Sequence, residues 1–129
     1  MNLTSLPQPI PAGAVYSDQL RIEPVISDAM APTLSCQDFV LCMPTTEFQG
    51  DGIYLIDMHG AKVLQRATLQ YDGSGSVRLS SDNPACVASW IVSRDKFESV
   101  VLAVVVADVK VRDQELLRSA YSRNGRAKL

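Results

Sequence analysis

The chain is short of the residues that most often reveal a chemistry. Among its 129 residues there is one histidine, His59, and one tryptophan. His59 precedes Gly60 in a predicted hairpin turn, where an exposed turn residue is expected rather than a catalytic base. Cys36, Cys42 and Cys86 are the only cysteines. Three is an odd number, and their spacing fits no zinc pattern. They are expected as buried or half-buried thiols in a reducing compartment. Basic residues are not in excess, with 12 Lys and Arg against 14 Asp and Glu and a net charge of −2. That excludes a chain-wide cationic surface for nucleic acid but leaves room for a local patch. The longest apolar run, Val100 to Ala107, is too short to cross a bilayer. Met1 to Ala14 has no basic start or continuous apolar core, and it carries Pro7, Pro9 and Pro11. It does not read as a signal peptide, and a cytoplasmic location is expected. There is no phosphate loop or dinucleotide fingerprint. Asp28, Asp38, Asp51, Asp57 and Asp82 are scattered over turns and strand ends and read as caps. No metal site or cofactor is expected.

What is present is a strand pattern. The apolar fraction is 47% and the charged fraction 20%, an ordinary mix for one globular domain. Residues 1–19 read as an extended arm punctuated by proline and glycine. From there strands are predicted over Arg21–Ile26, Phe39–Met43, Ile53–Met58, Lys62–Leu69, Val77–Ser80, Trp90–Val92 and Val100–Val111. Pro24 marks the first as an edge strand or a bulge. Phe39–Met43 has no polar alternation and should be buried on both faces. Trp90 and Phe97 are expected in the core or an interface. Asp113 can cap a short helix over Gln114–Arg123. The domain thus spans residues 20–112, and residues 113–129 form a basic helix and tail with Arg118, Arg123, Arg126 and Lys128. The fold class is mostly β, and nothing reads as a helix-turn-helix.

Four segments, in order, carry a resemblance. Ser27-Asp28-Ala29-Met30-Ala31-Pro32-Thr33-Leu34 resembles the Gly-Asp-Ser-Met-x-Pro-Thr-Leu box of the LexA, UmuD and phage CI-repressor autopeptidases. Gln37-Asp38-Phe39-Val40-Leu41 is similar to that family's Gly-Asp-x-Val-Leu, and Asp51-Gly52-Ile53-Tyr54-Leu55-Ile56 to its Asp-Gly-Ile-Tyr-Val-Ile. Ser81-Asp82-Asn83-Pro84 matches its Ser-Asp-Asn-Pro. The resemblance implies a C-terminal-domain fold of the β-clip type, made of short antiparallel strands with a short C-terminal helix. It also implies a serine–lysine dyad, in which a neutral lysine takes the proton of the serine hydroxyl.

Both dyad positions depart from the family. Ala29 stands where the serine would be, and a methyl group cannot attack a carbonyl. Gln65, in Leu64-Gln65-Arg66-Ala67, stands where the lysine of Val-Lys-Arg-Leu would be, and an amide has no useful basicity. Lys62 lies an odd number of residues from Gln65, so strand alternation predicts that it faces away from the Ala29 cleft. Ala12-Gly13 lies too close to Ala29 to match the family's cleavage site.

The resemblance therefore implies a pseudo-peptidase whose remaining role is association. The expected partners are a second copy of the chain or a related helix-turn-helix repressor of phage or mobile-element origin. DNA contact would be indirect or through the basic tail. Trp90, Val100, Leu102, Val104 and Val106 are the expected interface, and Met30, Pro32 and Thr33 are expected to line the vestigial cleft. An alternative is the C-terminal domain of an autocleaving repressor trapped by a serine-to-alanine change at Ala29.

Overall fold

The computed structural model describes residues 7–122. Seven strands run in chain order: β1 Arg21–Pro24, β2 Phe39–Pro44, β3 Gly52–Met58, β4 Ala61–Leu69, β5 Val77–Ser80, β6 Ser89–Val92 and β7 Val101–Val109. They form one antiparallel sheet in the order β1-β2-β7-β3-β4-β5-β6. Two short helices complete the described elements, α1 over Arg94–Val100 and α2 over Gln114–Ala120. The mostly β architecture with a short C-terminal helix is the one predicted.

Local signals explain much of this. The β3–β4 hairpin turns on His59 and Gly60, both with positive φ (55° and 90°). That is the geometry a two-residue hairpin needs to match strand twist, and glycine adopts it without a Cβ penalty. The Asp57 carboxylate braces the turn by accepting the Gly60 amide at 2.9 Å. Pro24 closes β1, which sits at the sheet edge as expected. Asp113 caps α2 by accepting the Leu116 amide at 2.9 Å.

Three expectations are corrected. Val100 is not the start of the last strand but the last residue of α1. The Arg94–Val100 segment carries a single deep apolar side chain among charged residues, so it shows no helical stripe. Its one local signal is Ser93, which accepts the Lys96 amide at 3.0 Å as an N-cap. Cys36 is exposed, whereas Cys42 is buried and Cys86 half-buried. The arm is not extended throughout, because Ala12–Tyr16 winds into an exposed 3-10 turn. Arg123, Arg126 and Lys128 lie outside the described residues.

The sheet is covered on both faces, and β3 feeds both cores because successive side chains point to opposite sides. Leu55 joins Val25, Met30, Leu34, Val40, Cys42 and Ala103 beneath the loop that follows β1. Tyr54 and Ile56 join Ala67, Val77, Leu79, Phe97 and Val101 beneath α1. Phe97 meets the Tyr54 and Phe48 rings edge-on at 5.1 and 5.6 Å.

Candidate functional site: a cleft without nucleophile or base

The loop after β1 crosses one face of the sheet and leaves a cleft of about 400 Å³ beside the start of β4. Ala29 and Gln65 both line it, together with Met30, Leu55, Glu23 and Lys62. Residues 36 positions apart, chosen from sequence as the vestigial pair, therefore share one cavity.

The loop is held by polar contacts. The Asn83 amide donates to the Ala29 carbonyl at 2.9 Å, and its side-chain amide donates to the Asp28 carbonyl at 2.9 Å. Asp82 takes a two-pronged ion pair from Arg66 of β4, at 2.7 and 2.8 Å, and a hydrogen bond from the Thr33 hydroxyl at 2.5 Å. Arg66 and Thr33 together hold the Asp82 carboxyl below its ordinary pKa, with Arg66 the larger cause. Fork-to-carboxylate pairing of this kind fixes geometry as well as contributing energy. The Ser81–Pro84 segment, read from sequence as a family-like box with Asp82 as a cap, is thus the clamp that holds the Ala29 loop.

Gln65 is only 7% exposed. Its side-chain nitrogen donates to the Leu64 carbonyl at 3.2 Å and to the Ser81 hydroxyl at 3.3 Å. Its side-chain oxygen is buried without a hydrogen-bond partner among the described residues. A buried acceptor left unpaired costs about 1–3 kcal/mol, so such atoms in native proteins call for an explanation.

Lys62 lines the same cleft as Ala29 and Gln65, against expectation. Strand alternation itself holds, because Lys62 has the parity of Leu64, on the face of Leu55, and Gln65 that of Ala67, on the face of Tyr54. Residues of both parities border the cleft because β5 pairs with β4 only over Arg66–Leu69, which leaves residues 61–65 as an open strand edge. The sheet also curls, so that Glu23 of β1 reaches Lys62 at 3.6 Å although β2, β7 and β3 lie between their strands. The Lys62 side chain is 61% exposed. It is not the desolvated, unpaired lysine that general-base work requires.

Of the other expected cleft residues, Met30 lines the cavity and anchors in the core. Pro32 and Thr33 do not line it. Both are exposed, and Thr33 serves the Asp82 clamp. The residues expected to form an interface do not make one patch. Val100 and Val104 pack against the α1-side core, whereas Leu102, Val106 and Trp90 are exposed. Trp90 lies on β6, four strands from β7 and roughly 19 Å away along the sheet. β7 is paired with β2 along most of its length but with β3 only over Val101–Val104, so only its first half is flanked by strands on both sides.

A second opening was not legible in the sequence. An apolar groove of about 740 Å³ runs between α2 and the β1, β2 and β7 end of the sheet. Ile22, Phe39, Val109, Leu117 and Tyr121 line it, with Arg118 among its few polar residues. Its walls come from four separate segments, so no local motif announces it. No cluster of three or more potential metal-binding side chains occurs among the described residues. No helix among them is long and apolar enough to cross a membrane.

No protein-family model matches this chain. No curated protein matches it either.

Proposed function

We propose that the chain is a non-cleaving, peptidase-like interaction module that self-associates or pairs with a related repressor, in phage or mobile-element repression. The observation that carries the reading is the shared cleft of Ala29 and Gln65. The cleft is kept and its loop clamped, yet neither position offers a nucleophile or a base. Such a cleft retains a peptide without cutting it. Light scattering on the intact chain tests the association. A molar mass near twice 14.0 kDa is expected. A mass of 14.0 kDa at every concentration, with no shift on adding a partner repressor, contradicts the reading.

One observation favours a second reading, an autocleaving repressor domain stopped by alanine at position 29. Lys62 places an amine in the same cleft. That reading requires Ala29→Ser alone to restore self-cleavage. The leading reading requires at least Gln65→Lys in addition.

A further inference from the structure

We propose that a second copy of the chain seats on the α2 groove, so that the self-association surface is α2 with the β1 edge and not the β7 face. This inference rests on the self-association reading above and names its surface.

Three observations carry it. First, α2 stands off the sheet with few contacts to it, and apolar side chains remain uncovered on both of its sides. Leu117 and Tyr121 line the groove at 50% and 75% exposure, and Leu116, outside the groove lining, is 68% exposed. Ile22 on β1 adds a fourth at 63%. Second, the area fits. Together with Val109 these side chains expose on the order of 500 Å² of apolar surface, about the largest patch an ordinary monomer carries. Two copies face to face would bury on the order of 1,000 Å², the lower bound for a specific interface. Of the residues expected at the β7 face, Leu102 and Val106 are exposed there, and Trp90 lies four strands away. Third, one copy carries both shapes. The groove is concave, and Leu116 is exposed on α2 outside it, where it can enter a partner's groove. A two-fold contact needs a self-complementary surface of this kind, with each copy's Leu116 entering the other's groove.

The test is light scattering across a dilution series of the full chain and three variants, with circular dichroism to check folding. Wild type is expected near twice 14.0 kDa. Leu116→Asp and Leu117→Asp are each expected to raise the dissociation constant by at least about 100-fold, as for a buried hot-spot side chain. Leu116 is outside the groove and the core, so Leu116→Asp should leave the dichroism spectrum unchanged. Val106→Asp, on the exposed part of β7, is expected to remain dimeric. A Leu116→Asp variant that keeps the wild-type mass overturns this surface while leaving self-association intact. Val106→Asp becoming monomeric while folded reassigns the contact to β7. A wild-type mass of 14.0 kDa overturns this surface and self-association together, and leaves pairing with a related repressor to its own test. If that monomer also enhances anilinonaphthalene sulfonate fluorescence, and Leu117→Asp abolishes the enhancement, the groove belongs to a small amphiphile.

Discussion

The two openings are both lined mainly by apolar residues, but they are held in opposite ways. The cleft beside Ala29 has its loop pinned by Asp82 and Asn83, its mouth bridged by Glu23 and Lys62, and an unpaired amide oxygen on Gln65. The groove under α2 is apolar, and its helix is held mainly at one end, where Asp113 caps it and Asp38 accepts the Val111 amide at 3.0 Å. The first is a clamped, largely apolar cleft with Glu23, Lys62 and Gln65 as its polar points. The second is an unsealed hydrophobic surface. A rigid cleft suits recognition of one extended segment, and an uncovered apolar groove suits docking of a whole surface.

The contrast predicts different responses to mutation. Truncating the cleft floor should be the most damaging. Met30→Ala is expected to destabilise by about 3 kcal/mol, because the side chain is buried and the site cannot fully collapse. Leu117→Ala in the groove should cost less than about 1 kcal/mol in the isolated monomer, because its side chain is half in water already. Urea melts of both compare them directly. Equal losses would mean that the groove is as tightly packed as the cleft.

The clamp comes next. Asp82→Ala removes both Arg66 bonds and the Thr33 bond, and a loss of about 2 kcal/mol is expected. Because the Asp82 carboxyl titrates below its ordinary value, its contribution is complete above about pH 4 and lost as acid protonates it. Wild type should therefore lose stability on acidification below that point, and Asp82→Ala should lose less over the same range. Parallel acid limbs for the two proteins would contradict the clamp.

Gln65 gives a smaller effect. Gln65→Leu removes a buried acceptor that has no partner, together with the two long hydrogen bonds its nitrogen donates to Leu64 and Ser81. These oppose each other, and a change within about 1 kcal/mol of zero is expected. A loss well above that would contradict an unpaired oxygen. Lys62→Met should be smallest, within about 0.5 kcal/mol, because its ion pair with Glu23 is largely exposed on the lysine side.

The elements that were legible in the sequence are those that local chemistry dictates. His59-Gly60 fixes a hairpin, Pro24 an edge and Asp113 a cap, and the polar-free run at Phe39–Met43 an interior strand. The pairing of Ala29 with Gln65 was legible because each lies in a recognisable motif. What was hidden depends on approach across the sheet. α1 escaped because one Phe97 among charges makes no stripe. Lys62 was misplaced because parity says nothing of an open strand edge, and β5 leaves residues 61–65 of β4 unpaired on that side. The role of Asp82 needed Arg66 and Thr33, which sequence separates by 33 residues. The groove needed Ile22, Phe39, Val109 and Leu117 at once.

The most direct test of the central claim, a cleft that holds but does not cut, is the intact mass of Ala29→Ser after prolonged incubation across neutral to alkaline pH. The expected result is a single species of full length, because Gln65 is an amide and Lys62 is exposed and turned to Glu23, so neither is positioned to take the serine's proton. Two fragments that sum to the chain, appearing with Ala29→Ser alone, would contradict it and make Lys62 a working base.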